Sequence, residues 1–159
     1  GKGYCLQRGF TAATGDLIID QDADPEYNPL DLKVLIEPFV NQSADFVIGT
    51  RFQTKNKRKI GYFYHTVFNK LITFFVNLKS NTNFTDIECG YKAVSKKILQ
   101  KIDLKEKRFG IEVELIRKLT KLNLNMYEVP VSYEMRSYNE GKKIGLKDAF
   151  SAIYCLIKY

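Results

Sequence analysis

Tryptophan is absent from the 159-residue chain, histidine occurs once, and cysteine occurs three times. Cys5, Cys89 and Cys155 lie far apart and form neither a Cys-x-x-Cys pair nor a metal-ligand pattern with histidine. We therefore expect three buried thiols in a protein of a reducing compartment such as the cytoplasm.

The chain also lacks long apolar runs, internal repeats and Pro/Gly/Ser-rich linkers. Because no apolar run has transmembrane length, we expect any membrane contact of these residues to be peripheral. Hydrophobic residues make up 45% of the chain and charged residues 27%, which predicts one domain around one core.

Lysine and arginine outnumber the acids, and the formal net charge is +7. This excess favours an anionic partner: a nucleotide, a nucleic acid, a lipid phosphate or an acidic membrane surface. The charge alone does not choose among them.

Apolar periodicity alternates between helical and strand patterns along the chain. Helices are predicted at residues 3–13, 32–40, 60–78, 96–102, 111–122 and 148–159, and strands at 17–20, 44–49 and 126–135. Residues 85–92 are predicted to form a loop or short strand, Ser95 an N-cap, and Pro130 an edge or bulge. This alternation indicates an α/β fold with a layered sheet.

The predicted helix at residues 60–78 is rich in aromatic residues on one side, whereas Asn69 and Thr73 fall on the other. The pattern favours a helix whose apolar face packs on the core. A helix lying at a membrane interface is the alternative.

Three closely spaced carboxylates, Asp20, Asp22 and Asp24, follow the apolar run 17–19. In an extended segment, Asp22 and Asp24 point to the same side, and such hard oxygen ligands hold Mg²⁺ or Mn²⁺ against substrate phosphates. A solvated turn ending at Pro25 is the alternative.

Basic residues follow other predicted elements, with Arg51 after the second strand and Arg136, Lys142 and Lys143 in a late glycine-containing segment. A metal-bound diphosphate requires carboxylates for the cation and Arg or Lys for the charge on the departing phosphate. The sequence therefore predicts a phosphate site.

Several short motifs occur in a specific order: Gly-Lys-Gly at 1–3, Ala-Thr-Gly-Asp at 13–16, Asp-Ala-Asp at 22–24, Gly-Thr-Arg-Phe at 49–52, Thr-Asp with Gly-Tyr-Lys within 85–92, Arg-Phe-Gly with Glu112, and Val-Pro-Val with Tyr133. The set resembles family 2 glycosyltransferases, in particular the dolichyl-phosphate mannose and glucose synthase branch, over residues 1–159. The resemblance implies a GT-A mixed sheet flanked by helices and a divalent metal, Mg²⁺ or Mn²⁺.

Members of that family begin with two strands that bind the nucleotide base and ribose, and their Pro-x-Tyr-Asn-Glu and Asp-Asp-Gly-Ser type motifs do not occur here. We therefore expect residues 1–159 to be a partial catalytic domain, its carboxyl portion, with the amino-terminal nucleotide-binding strands missing. We expect weak or no activity from this segment alone.

The resemblance also implies roles for individual residues. The implied metal ligands are Asp22, Asp24 and Glu26. The implied catalytic residues are Asp24, Arg51, Asp86 and Arg136. The implied substrate-binding residues are Asp22, Glu88, Glu112, Lys142 and Lys143.

The implied reaction moves a hexose from a nucleotide-diphosphate sugar to an acceptor, with inversion. A polyprenyl phosphate is the expected acceptor, and its oxygen is already ionised near neutral pH because the second pKa of a phosphate monoester is about 6. A glycan hydroxyl is the alternative, and it would require a base such as Asp86, Glu88 or Glu112. The expected location is the cytoplasmic face of a membrane, with peripheral contact.

Two further functional classes match the sequence less well. A haloacid-dehalogenase-like phosphatase would use Asp20 as nucleophile, but Asp24 stands where that family has Thr or Val, and no later Gly-Asp motif follows a strand. A basic module that binds nucleic acid or acidic membrane would use residues 55–59 and 142–147. We expect no nucleic-acid partner, because no nucleic-acid fold signature occurs.

Overall fold

The computed structural model describes residues 1–23, 25–53, 60–136 and 146–159, with the side chains of 146–150 left out. The helices are α1 (Lys2–Ala12), α2 (Leu32–Asn41), α3 (Phe63–Ser80), α4 (Lys96–Leu99), α5 (Ile111–Leu119) and α6 (Leu146–Lys158), with a 3-10 turn at Pro29–Asp31. The strands are β1 (Leu17–Asp20), β2 (Phe46–Thr50), β3 (Lys92–Ser95) and β4 (Met126–Pro130).

The four strands form one mixed sheet in the order β1-β3-β2-β4. Strand β3 is antiparallel to both of its neighbours, and β2 runs parallel to β4. The predicted α/β class is therefore confirmed, and Pro130 ends an edge strand as expected. The prediction did not resolve β3, which lies between β1 and β2.

The first strand ends at Asp20, as predicted, and its burial alternates along the chain. Ile18 and Asp20 are buried, whereas Leu17 and Ile19 are partly exposed. Because side chains alternate across a strand, Asp20 points into the molecule with Ile18. Asp22 follows beyond the end of this strand.

The long helix α3 is rotated relative to the favoured prediction. Ile72 of the predicted apolar side is buried, but so are Asn69 and Thr73 of the polar side, and Phe63 of the apolar side is 73% exposed. The physical reason is that Asn69 donates a hydrogen bond to the fully buried Asp86, which requires polar partners inside. Within the described residues, no helix has both the length and the apolar character needed to cross a bilayer.

Two smaller expectations need correction. Cys89 and Cys155 are buried, but Cys5 is exposed on α1, so only two of the thiols are buried as predicted. Ser95 stands at the N-cap of α4, yet its side chain makes no capping hydrogen bond.

Candidate active site

The first three residues place Lys2 at the start of α1. A Cβ atom on Gly3 would collide with the carbonyl oxygen of Glu106, and one on Gly1 would lie 2.6 Å from that of Lys107. Both glycines therefore allow the helix to lie directly against the backbone of the segment before α5. This close approach holds the Lys2 side chain next to the end of β1.

Lys2 belongs to a group of charges that we call the lysine–acid cluster, made of Lys2, Asp20, Asp22, Lys92 and Glu112. The Lys2 ammonium lies 2.9 Å from the Asp22 carboxylate and 2.7 Å from that of Glu112. Lys92, buried in β3, lies 2.5 Å from the other Glu112 oxygen and also donates to the Cys89 carbonyl. Burial opposes ionisation of Glu112, but Lys2 and Lys92 outweigh it and lower its pKa to about 2.

In the same cluster, the negative charge of Asp20 is poorly compensated by the two lysines. Burial and the neighbouring Glu112 charge raise the pKa of Asp20 to about 7. Its Oδ2 atom is buried and has no hydrogen-bond partner among the described residues. The cluster therefore holds more acidic groups than its two lysines neutralise.

Asp22 is the solvent-facing member, with 31% of its side chain exposed. It lies against Gly90, where an added Cβ would collide with the Asp22 carboxylate and meet the ring of Tyr27 at 3.0 Å. The Gly90 amide also donates to the Tyr27 hydroxyl at 2.8 Å. The glycine of the Gly-Tyr-Lys motif therefore provides the space in which the Asp22 carboxylate lies.

A second group, the arginine–aspartate cluster, consists of Arg51, Asn69 and Asp86. The Arg51 guanidinium donates to both Asp86 oxygens, at 2.6 Å from Nε and 2.7 Å from Nη2. The Arg51 amide and Asn69 Nδ2 donate to the same carboxylate, at 3.1 and 2.8 Å. Burial alone would raise the pKa of Asp86, but Arg51 reverses that effect and lowers it.

Glu128 on β4 fixes the turn that carries Asp86. It accepts hydrogen bonds from the amide and hydroxyl of Thr85, both at 2.9 Å, and from the Asp86 amide at 3.1 Å. The Thr85 hydroxyl is in turn 2.7 Å from that of Thr50, the last residue of β2. Arg51 directly follows β2, and these hydrogen bonds hold the end of that strand in place.

A third contact joins the segment after β4 to the acidic loop. Glu26 accepts hydrogen bonds from the Tyr133 hydroxyl at 3.1 Å and the Arg136 amide at 3.0 Å, and the Arg136 Nε lies 3.4 Å away. The Arg51 guanidinium lies over the Tyr133 ring, 5.0 Å from its centroid. Tyr133 therefore connects this contact to the arginine–aspartate cluster.

Glu88 interacts electrostatically with charged residues of both clusters. Burial, followed by the Glu112 charge, raises its pKa to about 7, while Lys92 and Arg51 act in the opposite direction. Its Oε1 atom is shielded from solvent and has no hydrogen-bond partner in the described part of the chain. A carboxyl group with this pKa suits proton transfer near neutral pH.

The structure thus brings together the predicted residues Asp22 with Glu112, Arg51 with Asp86, and Glu26 with Arg136. The predicted residues Asp24, Lys142 and Lys143 lie outside the described residues. Sequence reasoning did not assign roles to Lys92, Asn69 or Glu128. The Gly-Lys-Gly motif was noted, but the role of Lys2 was not.

The donors present fit a divalent cation held jointly with a substrate phosphate. Asp22 offers a partly exposed carboxylate at the end of β1, and Mg²⁺ is commonly bound through one or two carboxylates together with substrate phosphates. No group of three His, Cys, Asp or Glu side chains able to hold a metal occurs in the described ranges, which omit Asp24. The described residues therefore fit a cation that is bound partly by the protein and partly by a substrate phosphate.

Residues 1–103 match the family model described as Glycosyl transferase family 2. The chain belongs to this family of enzymes. The membership predicted from the ordered motifs is confirmed. The mixed sheet flanked by helices is the GT-A type of fold that the resemblance implied.

Several known proteins are similar to this family member. It is 28% identical to undecaprenyl-phosphate mannosyltransferase of Micrococcus luteus, over 91% of this chain and 58% of the relative. It is 29% identical to dolichol-phosphate mannosyltransferase of Pyrococcus furiosus, over 100% of this chain and 46% of the relative.

Among solved structures, glucosyl-3-phosphoglycerate synthase of Mycobacterium tuberculosis, in complex with Mn²⁺, UDP and phosphoglyceric acid, has a TM-score of 0.72 at 19% identity. The match covers 99% of this chain and 53% of the synthase. The chain therefore spans about half the length of these proteins.

Proposed function

We propose that the protein transfers a hexose from a nucleotide-diphosphate sugar to a polyprenyl phosphate, with inversion at the anomeric carbon and with Mg²⁺ or Mn²⁺ as cofactor. The observation that carries the proposal is the lysine–acid cluster at the end of β1, where a partly exposed Asp22 lies beside Lys2. The names of the two mannosyltransferase relatives support the choice of acceptor.

On this proposal, Asp22 and Asp24 hold the cation and the donor diphosphate, with Glu26 as an additional oxygen ligand. A bound cation would supply positive charge to stabilise the departing nucleoside diphosphate. Lys2 contacts the same diphosphate, because its ammonium already lies 2.9 Å from Asp22. Arg136, Lys142 and Lys143 add positive charge from the segment that follows β4.

We assign the acceptor phosphate to Arg51. Asp86 holds the guanidinium from both of its oxygens, and Tyr133 lies under it, so the group is oriented before any ligand arrives. Asp86 is fully buried and its oxygens already accept four hydrogen bonds. We therefore propose that Asp86 positions Arg51 and is not a catalytic base.

An ionised phosphate acceptor requires no protein base, and two of the three carboxylates considered for that role are poorly suited to it. Asp86 is enclosed, and Glu112 is held ionised with a pKa of about 2. Glu88 is the exception, with a pKa of about 7 and an Oε1 that has no hydrogen-bond partner among the described residues. This observation favours a second candidate function, which is transfer to a glycan hydroxyl with Glu88 as the base.

A transfer assay separates these candidates. Because residues 1–159 alone are expected to have weak or no activity, the assay uses the longest form of the protein that contains them. This protein is incubated with GDP- or UDP-linked hexoses, Mn²⁺ and either a polyprenyl phosphate or an oligosaccharide, and the products are quantified. We expect sugar transfer to the phosphate, a large loss in Asp22→Asn, and little change in the matched control Asp16→Asn, an exposed acid before β1.

Glu88→Gln decides between the acceptors. It should retain transfer to the phosphate if no base is required. Transfer only to the oligosaccharide, abolished by this substitution, would replace the first candidate with the second. We place the reaction at the cytoplasmic face of a membrane, with peripheral contact of the protein.

A further inference from the structure

Tyr133 contacts two parts of the candidate site at once. Its hydroxyl donates to Oε2 of Glu26 at 3.1 Å, and its ring lies under the Arg51 guanidinium, 5.0 Å from the ring centroid. Glu26 lies between β1 and the 3-10 turn, whereas Arg51 directly follows β2. One side chain therefore links the loop proposed to hold the cation to the group proposed to hold the acceptor phosphate.

The backbone on both sides of Tyr133 is held in place. The Ser132 amide donates to the Asp31 carboxylate at 2.6 Å, and the Glu134 amide donates to the Glu26 carbonyl at 2.9 Å. A phenol O–H bond rotates without any movement of the ring. The ring of Tyr133 can therefore keep its position while its hydroxyl changes its hydrogen-bond partner.

The Tyr133 hydroxyl has one proton to donate. A tyrosine hydroxyl is protonated at neutral pH, and burial raises the pKa of Tyr133 further. While this proton is donated to Glu26, it is not available to any other acceptor. A ligand that needs the hydroxyl as a donor must therefore compete with the Glu26 carboxylate.

Arg51 has an amino group that its buried partner does not use. Asp86 accepts from Nε and Nη2 of the guanidinium, so Nη1 points away from that carboxylate. Among the charges that act on the pKa of Tyr133, Arg51 has the largest effect, which indicates that the hydroxyl lies near the guanidinium. A phosphate has several acceptor oxygens and could accept from Nη1 and from the hydroxyl together.

We propose that the Tyr133 hydroxyl is a further ligand of the acceptor phosphate, and that Glu26 occupies this hydroxyl until the cation engages the Glu26 carboxylate. The inference deepens the proposed function and rests on it for the acceptor and for the role of Glu26. The Glu26 carboxylate attracts the hydroxyl proton less strongly once its charge is shared with a cation. Cation binding and acceptor binding should therefore strengthen each other.

Binding of geranyl phosphate, a short polyprenyl phosphate, tests the inference by isothermal titration calorimetry. The measurement uses the same form of the protein as the transfer assay and contains no metal. Glu26→Ala removes the acceptor of the hydroxyl proton, so we expect binding to tighten by about tenfold, as for a hydrogen bond to a charged group. This gain should disappear in the double variant Glu26→Ala with Tyr133→Phe, which keeps the ring and lacks the hydroxyl.

Two control variants separate the hydroxyl from general effects. Glu134→Ala removes an exposed acid of the same segment and measures the gain that arises from lost negative charge alone. Tyr127→Phe removes the hydroxyl of a partly exposed tyrosine on β4 and should leave binding unchanged. Glu26→Gln is a second variant at the decisive position, and it should gain less than Glu26→Ala because its amide oxygen still accepts the hydroxyl proton.

The same titration with Mn²⁺ tests the link to the cation. Mn²⁺ should strengthen geranyl phosphate binding more in the unaltered protein than in Tyr133→Phe. Thermal unfolding of each variant, followed by circular dichroism, verifies that the fold is retained.

Three results would overturn the inference. They are a gain in Glu26→Ala no larger than that in Glu134→Ala, a gain that persists in the double variant, and an equal effect of Mn²⁺ with and without the Tyr133 hydroxyl. Hexose transfer to geranyl phosphate, measured in parallel, would persist if only this inference fails and would be absent if the proposed function fails.

Discussion

The two charged clusters beside the sheet differ in how completely their charges are satisfied. In the arginine–aspartate cluster, Asp86 accepts hydrogen bonds on both oxygens, and its pKa is lowered by Arg51. In the lysine–acid cluster, Asp20 keeps a buried oxygen without a hydrogen-bond partner among the described residues, and its pKa is raised to about 7. The first cluster is already assembled, whereas the second is suited to receive additional positive charge.

This difference separates positioning from binding. A bidentate arginine pair in a buried setting fixes a guanidinium in one orientation. A partly exposed carboxylate with a surplus of acidic neighbours attracts a cation instead. The predictions below test whether the two clusters behave differently when each is altered.

The largest expected effect is on the arginine–aspartate cluster. Asp86→Ala leaves the Arg51 guanidinium buried without its partner, so the free energy of unfolding should fall by about 3–5 kcal/mol. Urea denaturation measures this change. The control Asp16→Ala, at an exposed acid, should change the value by less than about 0.5 kcal/mol. A loss below about 1 kcal/mol in Asp86→Ala would mean that the pair is not a structural unit.

The next effect concerns the pH dependence of the lysine–acid cluster. The folded-state pKa of Glu112 is lowered from 4.5 to about 2, so its ionised form stabilises the fold above pH 4.5. This contribution is lost as the pH falls from 4.5 toward 2. A shift of this size corresponds to about 3 kcal/mol.

Glu112→Gln should therefore reduce stability at pH 7, and the difference from the unaltered protein should shrink as the pH falls. Urea denaturation at several pH values between 3 and 7 measures it. A difference that stays constant with pH would show that Lys2 and Lys92 do not hold the carboxylate in its ionised form.

A smaller effect is expected where Asp22 lies against Gly90. Gly90→Ala introduces a Cβ that collides with the Asp22 carboxylate, so this group must move. We expect about a tenfold lower kcat/KM for transfer, because displaced ligands are misaligned for the donor. Gly9→Ala is the matched control, since an added Cβ there meets nothing within 4 Å. Equal activity in both variants would argue against Asp22 as a donor ligand.

The smallest expected effect is on the link between α3 and Asp86. Asn69→Ala removes one of the hydrogen bonds to the Asp86 carboxylate but leaves the bidentate Arg51 pair, so the loss should be about 1 kcal/mol. Thermal unfolding followed by circular dichroism measures it. A loss as large as that of Asp86→Ala would show that Asn69, rather than Arg51, is the principal partner.

Local pattern was sufficient for much of the fold. The aliphatic run ending at Asp20 predicted β1 because apolar residues bounded by glycine and acids are typical of strands. The side of α3 that faces the core was not predictable from the local pattern. An amphipathic helix has two faces, and contacts distant in sequence, of Asn69 with Asp86 17 residues later and of Thr73 with the Ile87 amide, hold part of the polar side inside.

The same limit applies to the site. The resemblance implied that Arg51 and Asp86 both belong to the catalytic site, but not that they contact each other. Lys92 and Glu128 were missed because each acts through partners far away in sequence: Glu112, 20 residues from Lys92, and Thr85, 43 residues from Glu128. Local composition contains no signal for such pairs, and a lysine inside a strand is normally expected on the solvent side.

The most direct test of the account is Mn²⁺ binding measured by electron paramagnetic resonance on the same form of the protein as the transfer assay, with and without a nucleotide-diphosphate hexose. The account predicts that the nucleotide sugar strengthens Mn²⁺ binding. It further predicts that Asp22→Asn weakens this binding by about tenfold or more, whereas Asp86→Asn, in the already satisfied cluster, leaves it nearly unchanged. Mn²⁺ binding that is unaffected by Asp22→Asn, or that depends on Asp86 instead, would contradict the assignment of the lysine–acid cluster as the donor site.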